Sequence, residues 1–138
     1  MSSLVAAVLA LLVLQEAPAP EAPLRRLGTT RFRHPENLAA LALSPDGRLL
    51  ATGDSKIVKI WEVESGRELH EVAGAGRALA FSKDGGLVAA GGKGDIVVAD
   101  SATGQVGQVI KGHANAVLAV AFSPDGRMLA SGGDDTTA

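Results

Sequence analysis

The sequence predicts an all-β chain built from four-stranded antiparallel sheets. Three observations predict it. A Ser-Pro-Asp-Gly turn at Ser44-Pro45-Asp46-Gly47 stands between two runs of apolar and small residues. The same unit returns as Phe81-Ser82-Lys83-Asp84-Gly85 and as Phe122-Ser123-Pro124-Asp125-Gly126, with the turn serines 38 and then 41 residues apart. No stretch among these units carries a helical period. Pro presets φ near −65°, Asp bonds back to its own backbone, and Gly supplies the positive φ that closes the turn. Runs enclosing such a turn form a hairpin, and a repeat of this length means stacked supersecondary units.

The first copy opens with a polar, β-prone stretch at 28–33, read as one short strand, and a loop at 34–37. The hairpin strands fall at 38–43 and 49–52. Ile57-Val58-Lys59-Ile60-Trp61-Glu62 is the strongest single strand, β-branched and aromatic. Glu64-Ser65-Gly66 turns it, and 68–72 returns. The second copy places strands at 78–81, 87–90, 95–100 and 106–110. The third gives 117–122 and 128–131 and then stops, with its third and fourth strands missing. Several strands are apolar or small at nearly every position, as in sheets covered on both faces. A four-stranded meander repeated radially is a propeller blade.

Composition narrows the function. The chain has 138 residues and a formal charge of −2, with 46% hydrophobic residues. Lys and Arg are scattered among the acids, so no basic patch invites nucleic acid. Phe32, Trp61, Phe81 and Phe122 are the only aromatics, too few for a base-stacking platform. There is no Cys, hence no disulfide frame, thiolate zinc site or cysteine nucleophile.

Residues 4–14 are an unbroken apolar run. A spanning helix needs roughly 20 residues, a signal-peptide core roughly 7–15. Ala17-Pro18-Ala19 places small residues where cleavage would fall. Residues 1–19 are therefore expected to be a helical signal peptide, with no membrane span, and the mature chain to be exported to a periplasmic or extracellular space. Against this, no Lys or Arg precedes the run, Pro20 would follow the cut, and Arg25-Arg26 lie beyond it; the alternatives are an uncleaved short anchor or a wrongly placed start, with a cytoplasmic chain if the segment is not a signal. Residues 20–25, rich in Ala and Pro, form a linker.

Gly112-His113, then Val117-Leu118-Ala119-Val120-Ala121-Phe122-Ser123-Pro124-Asp125-Gly126, then Leu129-Ala130-Ser131-Gly132-Gly133-Asp134-Asp135 resembles the WD-repeat β-propeller family. Copy one adds Ile60-Trp61-Glu62 where the family has its Trp-Asp pair, and copy two offers Ala99-Asp100. The resemblance covers residues 26–138: blade one at 34–72, a degenerate blade two at 73–111 and a truncated blade three at 112–138. It implies an incomplete propeller and a hydrogen-bonded set of His, Ser or Thr, Asp and Trp in copies one and three. Copy one supplies His34, Thr52, Trp61 and Asp54, for whose place Ser55 competes; copy three supplies His113, Ser131 and Asp135. Copy two has Ala90 for Ser or Thr and Ala99 for Trp, and is expected to be the softest blade.

Ser131, His113 and Asp135 have the composition of a catalytic triad, as do Thr52, His34 and Asp54 with Thr for Ser. Geometry defines a triad, and no Gly-x-Ser-x-Gly elbow presents a nucleophile. Lys93 does not complete a phosphate loop, because position 87 is Leu and position 94 is Gly. Gly91-Gly92-Lys93-Gly94-Asp95 is one residue short of a calcium-binding glycine repeat and reads as a tight turn. His70, between Leu69 and Glu71, reads as half-exposed and inert. No catalytic residue, cofactor or metal ligand is expected.

The resemblance implies a non-catalytic scaffold for other proteins. Its docking face would be made by the loops before each first strand and between strands two and three. Those loops carry Pro35, Glu36, Asn37, Ser55, Lys56, Arg77, Lys93, Asn115 and Asp134, besides Asp54 and Asp135. The alternative is the propeller part of a larger protein whose catalytic or signalling module lies elsewhere; a ligand-binding propeller is disfavoured by the few aromatics. Two and a fraction blades fall short of the four that close the smallest rings, so the chain reads as a truncated product. Missing blades or self-association are then expected to complete it, with 27–33 as the candidate closing strand.

Overall fold

A computed structural model describes residues 32–138. The expected signal peptide (1–19), the linker (20–25) and the stretch 26–31 lie outside the described residues. Phe32 and Arg33 are described, and neither is in a strand. The strand expected over 28–33, within the candidate closing strand 27–33, is therefore not continued by its last two residues. The Phe32 ring instead stands edge-on to the Trp61 indole, centroids 5.6 Å apart and planes at 81°.

Ten strands follow in order: β1 (Ala40–Leu43), β2 (Leu49–Gly53), β3 (Ile57–Glu62), β4 (Glu68–Ala73), β5 (Ala78–Phe81), β6 (Leu87–Gly91), β7 (Asp95–Asp100), β8 (Val106–Lys111), β9 (Val117–Phe122) and β10 (Leu129–Gly133). They form two four-stranded sheets, β1-β2-β3-β4 and β5-β6-β7-β8, and a two-stranded sheet of β9 and β10. Every pairing is antiparallel between chain neighbours. The described part contains no helix, and so none long and apolar enough to cross a membrane.

The three Ser-x-Asp-Gly turns are built alike. Ser44 Oγ donates to Asp46 at 2.6 Å, Ser82 to Asp84 at 2.6 Å and Ser123 to Asp125 at 2.5 Å. The same serine oxygen accepts the N–H of Leu49, Leu87 or Met128 at 2.9–3.0 Å. Each Asp accepts a backbone N–H two residues on, from Arg48, Gly86 or Arg127. The serine hydroxyl, then that N–H, hold each carboxyl below the usual carboxylate range. Gly47, Gly85 and Gly126 take φ of 73°, 75° and 71°, the left-handed region the turn requires.

The sheets stand side by side, with β5 against β1 on one flank and β9 on the other. Between blades one and two lies a core of Ala51, Val58, Ile60, Val72, Val88, Ala90 and Ala99. Ala90 and Ala99, which replace the polar residue and the Trp of the family pattern, are thus core residues packed on blade one. Between blades two and three Ala89, Ile96 and Val117 are buried, with Val120, Phe122 and Leu129 against them. On the other face of blade one, Leu50 and Trp61 are buried beneath Phe32, Leu41, Leu43 and Val63.

Two glycines at the same repeat position set the spacing between blades. Gly53 and Gly91 end β2 and β6, opposite Ala40 and Ala78. A Cβ on Gly53 would lie 2.2 Å from the Gly76 carbonyl oxygen and 2.7 Å from the Gly76 Cα. One on Gly91 would lie 2.6 Å from Val117 Cγ1. The obstacle at Gly53 is backbone and cannot rotate away. Gly53→Ala should therefore destabilise the protein by about 1–3 kcal/mol through overpacking. Urea unfolding measures it, and a change within about 0.5 kcal/mol, ordinary for a surface site, would refute the close approach.

Candidate functional site

The loop before β1 and the β2–β3 turn meet through buried polar side chains. Asp54 follows the last residue of β2, and its Oδ1 accepts the N–H groups of Lys56 and Ile57 at 2.7 and 2.8 Å. Its Oδ2 accepts from His34 Nδ1 at 2.7 Å, with both side chains about 1% exposed. Burial acts to raise the Asp54 carboxyl, but the His34 bond and the two backbone N–H groups outweigh it and hold the group below its ordinary value. Trp61 Nε1 donates to Thr52 Oγ1 at 2.7 Å in the same blade.

Blade one thus contains two pairs, His34–Asp54 and Thr52–Trp61, rather than one connected set. His34 Nε2 is buried without a hydrogen-bond partner among the described residues. Ser55, the rival for the place of Asp54, bonds instead to Glu36. In blade three the histidine reaches both partners. His113 Nδ1 lies 3.1 Å from the Asp135 carboxylate and its Nε2 lies 2.8 Å from Ser131 Oγ. Asp135 also accepts from Thr137 Oγ1 and from Ala114 N–H, at 2.7 and 2.8 Å. Thr137 first, then Ala114, hold its carboxyl far below the usual range. The sequence difference that accompanies the break is the shorter turn: Asp54 follows Thr52 by two residues, Asp135 follows Ser131 by four.

Ser131, His113 and Asp135 are bonded in the order of a triad, yet their setting is that of a strand junction. Ser131 pairs with Val120 across β9 and β10, and Val120 packs on blade two. The hydroxyl is therefore on the sheet face turned to its neighbour blade. Among the described residues no group of three or more His, Cys, Asp or Glu side chains is placed to hold a metal ion.

The loop ends of the three blades enclose an open cleft of about 740 Å³, lined by His34, Pro35, Glu36, Asn37, Ala39, Ser55, Arg77 and Leu118. Glu36, Asn37, Ser55 and Arg77, placed by sequence on the docking face, come together here. Ser55 Oγ donates to Glu36 Oε2 at 2.6 Å, and Lys56 Nζ pairs with the other Glu36 oxygen. Lys56 first, then Ser55, keep the Glu36 carboxyl below its ordinary value. Lys56, Lys93, Asn115 and Asp134 do not line the cleft. The Gly94 turn beside Lys93 packs on His113 and Asn115 backbone, so they sit farther along the same end of the sheets.

Sequence reasoning missed two of the lining residues, Ala39 just before β1 and Leu118. The run around Leu118 reads as a strand covered on both faces. The β9–β10 register passes from Ala119↔Gly132 to Val117↔Gly133, leaving Leu118 without a cross-strand partner. A bulge of this kind re-aims a side chain. Val117 stays fully buried while Leu118 is 58% exposed. His70 is half-buried, and it makes a bond that residue types did not place. Its Nε2 donates to the Ala102 carbonyl at 2.6 Å, and the β7–β8 turn at Gly104 packs on its ring. That bond ties the outer strand of blade one to blade two across 32 residues.

A family model described as "WD domain, G-beta repeat" matches residues 26–62 and 104–138. The stretch between the matches holds most of the second copy, with its Ala90 and Ala99. Among solved structures, one titled "Crystal structure of RRP9 WD40 repeats" aligns with a TM-score of 0.71 and 26% identity. The alignment covers 75% of this chain and 35% of that one, so the chain spans about a third of that structure's length. A search of curated proteins finds no match.

Two outcomes check the geometry of the site. Thr52→Val removes the acceptor of the buried Trp61 N–H and should cost about 1–3 kcal/mol; a neutral effect on chemical unfolding would contradict the bond. The second concerns acid. Asp54 and Asp135 have lowered folded values, so the unfolded chain binds more protons than the folded one at low pH. Their stabilisation is present above the unfolded value of about 3.9 and is lost as pH falls through the lowered folded values. Calorimetric Tm should hold from pH 7 to about 4 and fall below it. A Tm that is flat into strong acid would remove these carboxylates from the account.

Proposed function

We propose that this chain, which belongs to the WD40 repeat family, is a non-catalytic scaffold that docks other proteins on its loop face. The family is typically non-catalytic and generally mediates protein interaction. The observation that carries the reading is convergence. Glu36, Asn37 and Ser55 come from copy one, Arg77 from copy two and Leu118 from copy three, and all line one open cleft. A surface assembled from loops of successive repeats offers side chains of several chemistries to a partner without presenting a reactive group. The triad-like residues support the same reading, since their hydroxyls serve strand junctions.

A second reading keeps the docking face and places it in a larger protein that carries a catalytic or signalling module. Export is part of the proposal and is supported by the apolar run at 4–14 and by Ala17-Pro18-Ala19. Mass spectrometry of the native protein should then find a new amino terminus between Pro18 and Pro23. Intact Met1 or Ser2 in a cytosolic fraction would end it.

Quantitative affinity capture from the source cells tests the docking face. Leu118→Glu places a charge in the cleft. Lys83→Glu alters the exposed turn at the opposite end of the sheets. Leu118→Glu should reduce recovery of captured proteins at least about tenfold, the equivalent of 1.4 kcal/mol, and Lys83→Glu should leave it unchanged. Equal recovery by both variants and the wild type would refute the assignment.

A further inference from the structure

The charges that line the cleft are not equally engaged. His34 is bonded to Asp54 with its side chain about 1% exposed. Glu36 is matched by Lys56 and Ser55. Arg77 is exposed. Its backbone N–H donates to the Gly91 carbonyl at 2.8 Å, which fixes its position just before β5. Its guanidinium makes no hydrogen bond or ion pair among the described residues. Among the described residues, Arg77 is thus the one lining cation without a partner. Beside it stand the apolar surfaces of Leu118, Pro35 and Ala39, and the Asn37 amide, which can both donate and accept.

We infer that the cleft takes an extended peptide presenting an acidic side chain close to an apolar one. This rests on the reading of the cleft as a protein-docking site. A guanidinium binds a carboxylate through two parallel N–H···O bonds, a geometry that Lys does not reproduce. Leu118 stands out from the sheet at 58% exposure and supplies the apolar contact. The Asn37 amide suits a peptide backbone passing between the two. A volume of about 740 Å³ is of the size of small-ligand clefts, about 300–1,000 Å³, and so can take in a short stretch of a peptide. Because the cleft opens along the loop face and its walls come from three blades, a chain that runs across it fits better than a ligand enclosed by it.

Fluorescence anisotropy with the full chain tests the inference. The probes are three labelled octapeptide pools on a Gly/Ser background. The first carries Glu and Leu at varied spacing. The second has Gln for Glu, and the third has Ser for Leu. The first pool should bind at least about tenfold more tightly than either of the others. Arg77→Gln should bring the Glu and Gln pools to within about twofold of each other, and Arg77→Lys should fall between. Leu118→Ser should weaken the first pool toward the level of the third. Both sites are exposed, and an unchanged thermal melt checks that each variant folds.

Equal binding of the Glu and Gln pools, a Glu preference that survives Arg77→Gln, or no binding of any pool overturns the inference. Equal binding of the first and third pools overturns it too, leaving a simple anion contact. If Leu118→Glu abolishes protein capture while the peptides show no Glu preference, this inference fails and the docking reading stands. If capture is indifferent to the cleft, the docking reading fails whatever the peptides do.

Discussion

The close approach of backbone at the ends of β2 and β6 is the constraint on which the rest of the structure depends. Gly53 meets the Gly76 backbone with no room for a Cβ, and Gly91 leaves none beside the Val117 side chain. These contacts fix how near one sheet stands to the next. They therefore fix where the loops at that end of the sheets arrive. The His34–Asn37 loop, the Ser55 turn and Arg77 leave strands whose ends are pinned there, and Leu118 follows directly after Val117. A larger residue at either glycine would push the blades apart and open the cleft between them. Gly132 holds the corresponding place in β10 and has nothing within 4 Å of its Cβ position.

Much of the fold was legible because it rests on local chemistry. The three Ser-x-Asp-Gly turns specify their own geometry through bonds spanning five residues or fewer, and they fix the register of the hairpins around them. The Ala, Gly and Val content of the strands pointed to sheets covered on both faces, and two of the three cores lie between blades. What was not legible depends on contacts between distant residues. The bulge that turns Leu118 into the cleft is a register shift, and nothing in Val117-Leu118-Ala119 announces it. The bond from His70 to Ala102 joins two blades and has no local signature. The split of the blade-one set into two pairs depends on where a shortened turn places Asp54, which residue types alone do not reveal.

The candidate site was legible to a similar depth. Loop position alone assembled Glu36, Asn37, Ser55 and Arg77, because every copy sends its corresponding loops to the same end. It could not say that Glu36 is neutralised by Lys56 while Arg77 has no partner among the described residues, since that depends on side-chain reach. The polar residues with the composition of catalytic machinery show why geometry must decide. A histidine between a hydroxyl and a carboxylate becomes a strand staple when the hydroxyl faces a neighbouring sheet. Blade two lacks that staple and substitutes apolar contact, with Ala90 and Ala99 buried against blade one. The same architecture is thus held by two different mixtures of forces.

The claim that three packed blades position one shared cleft is tested most directly at the junction of blades two and three. There the Val117 N–H donates to the Gly92 carbonyl at 2.8 Å, and the Val117 side chain is fully buried. Amide hydrogen exchange followed residue by residue is the measurement. Packed blades predict that the Val117 amide exchanges as slowly as those in the middle of β6 and β7, because opening it requires the blades to part. A Val117 amide that exchanges at the rate of an unprotected loop, while β6 and β7 stay protected, would mean that blade three does not dock and that the cleft does not exist in solution.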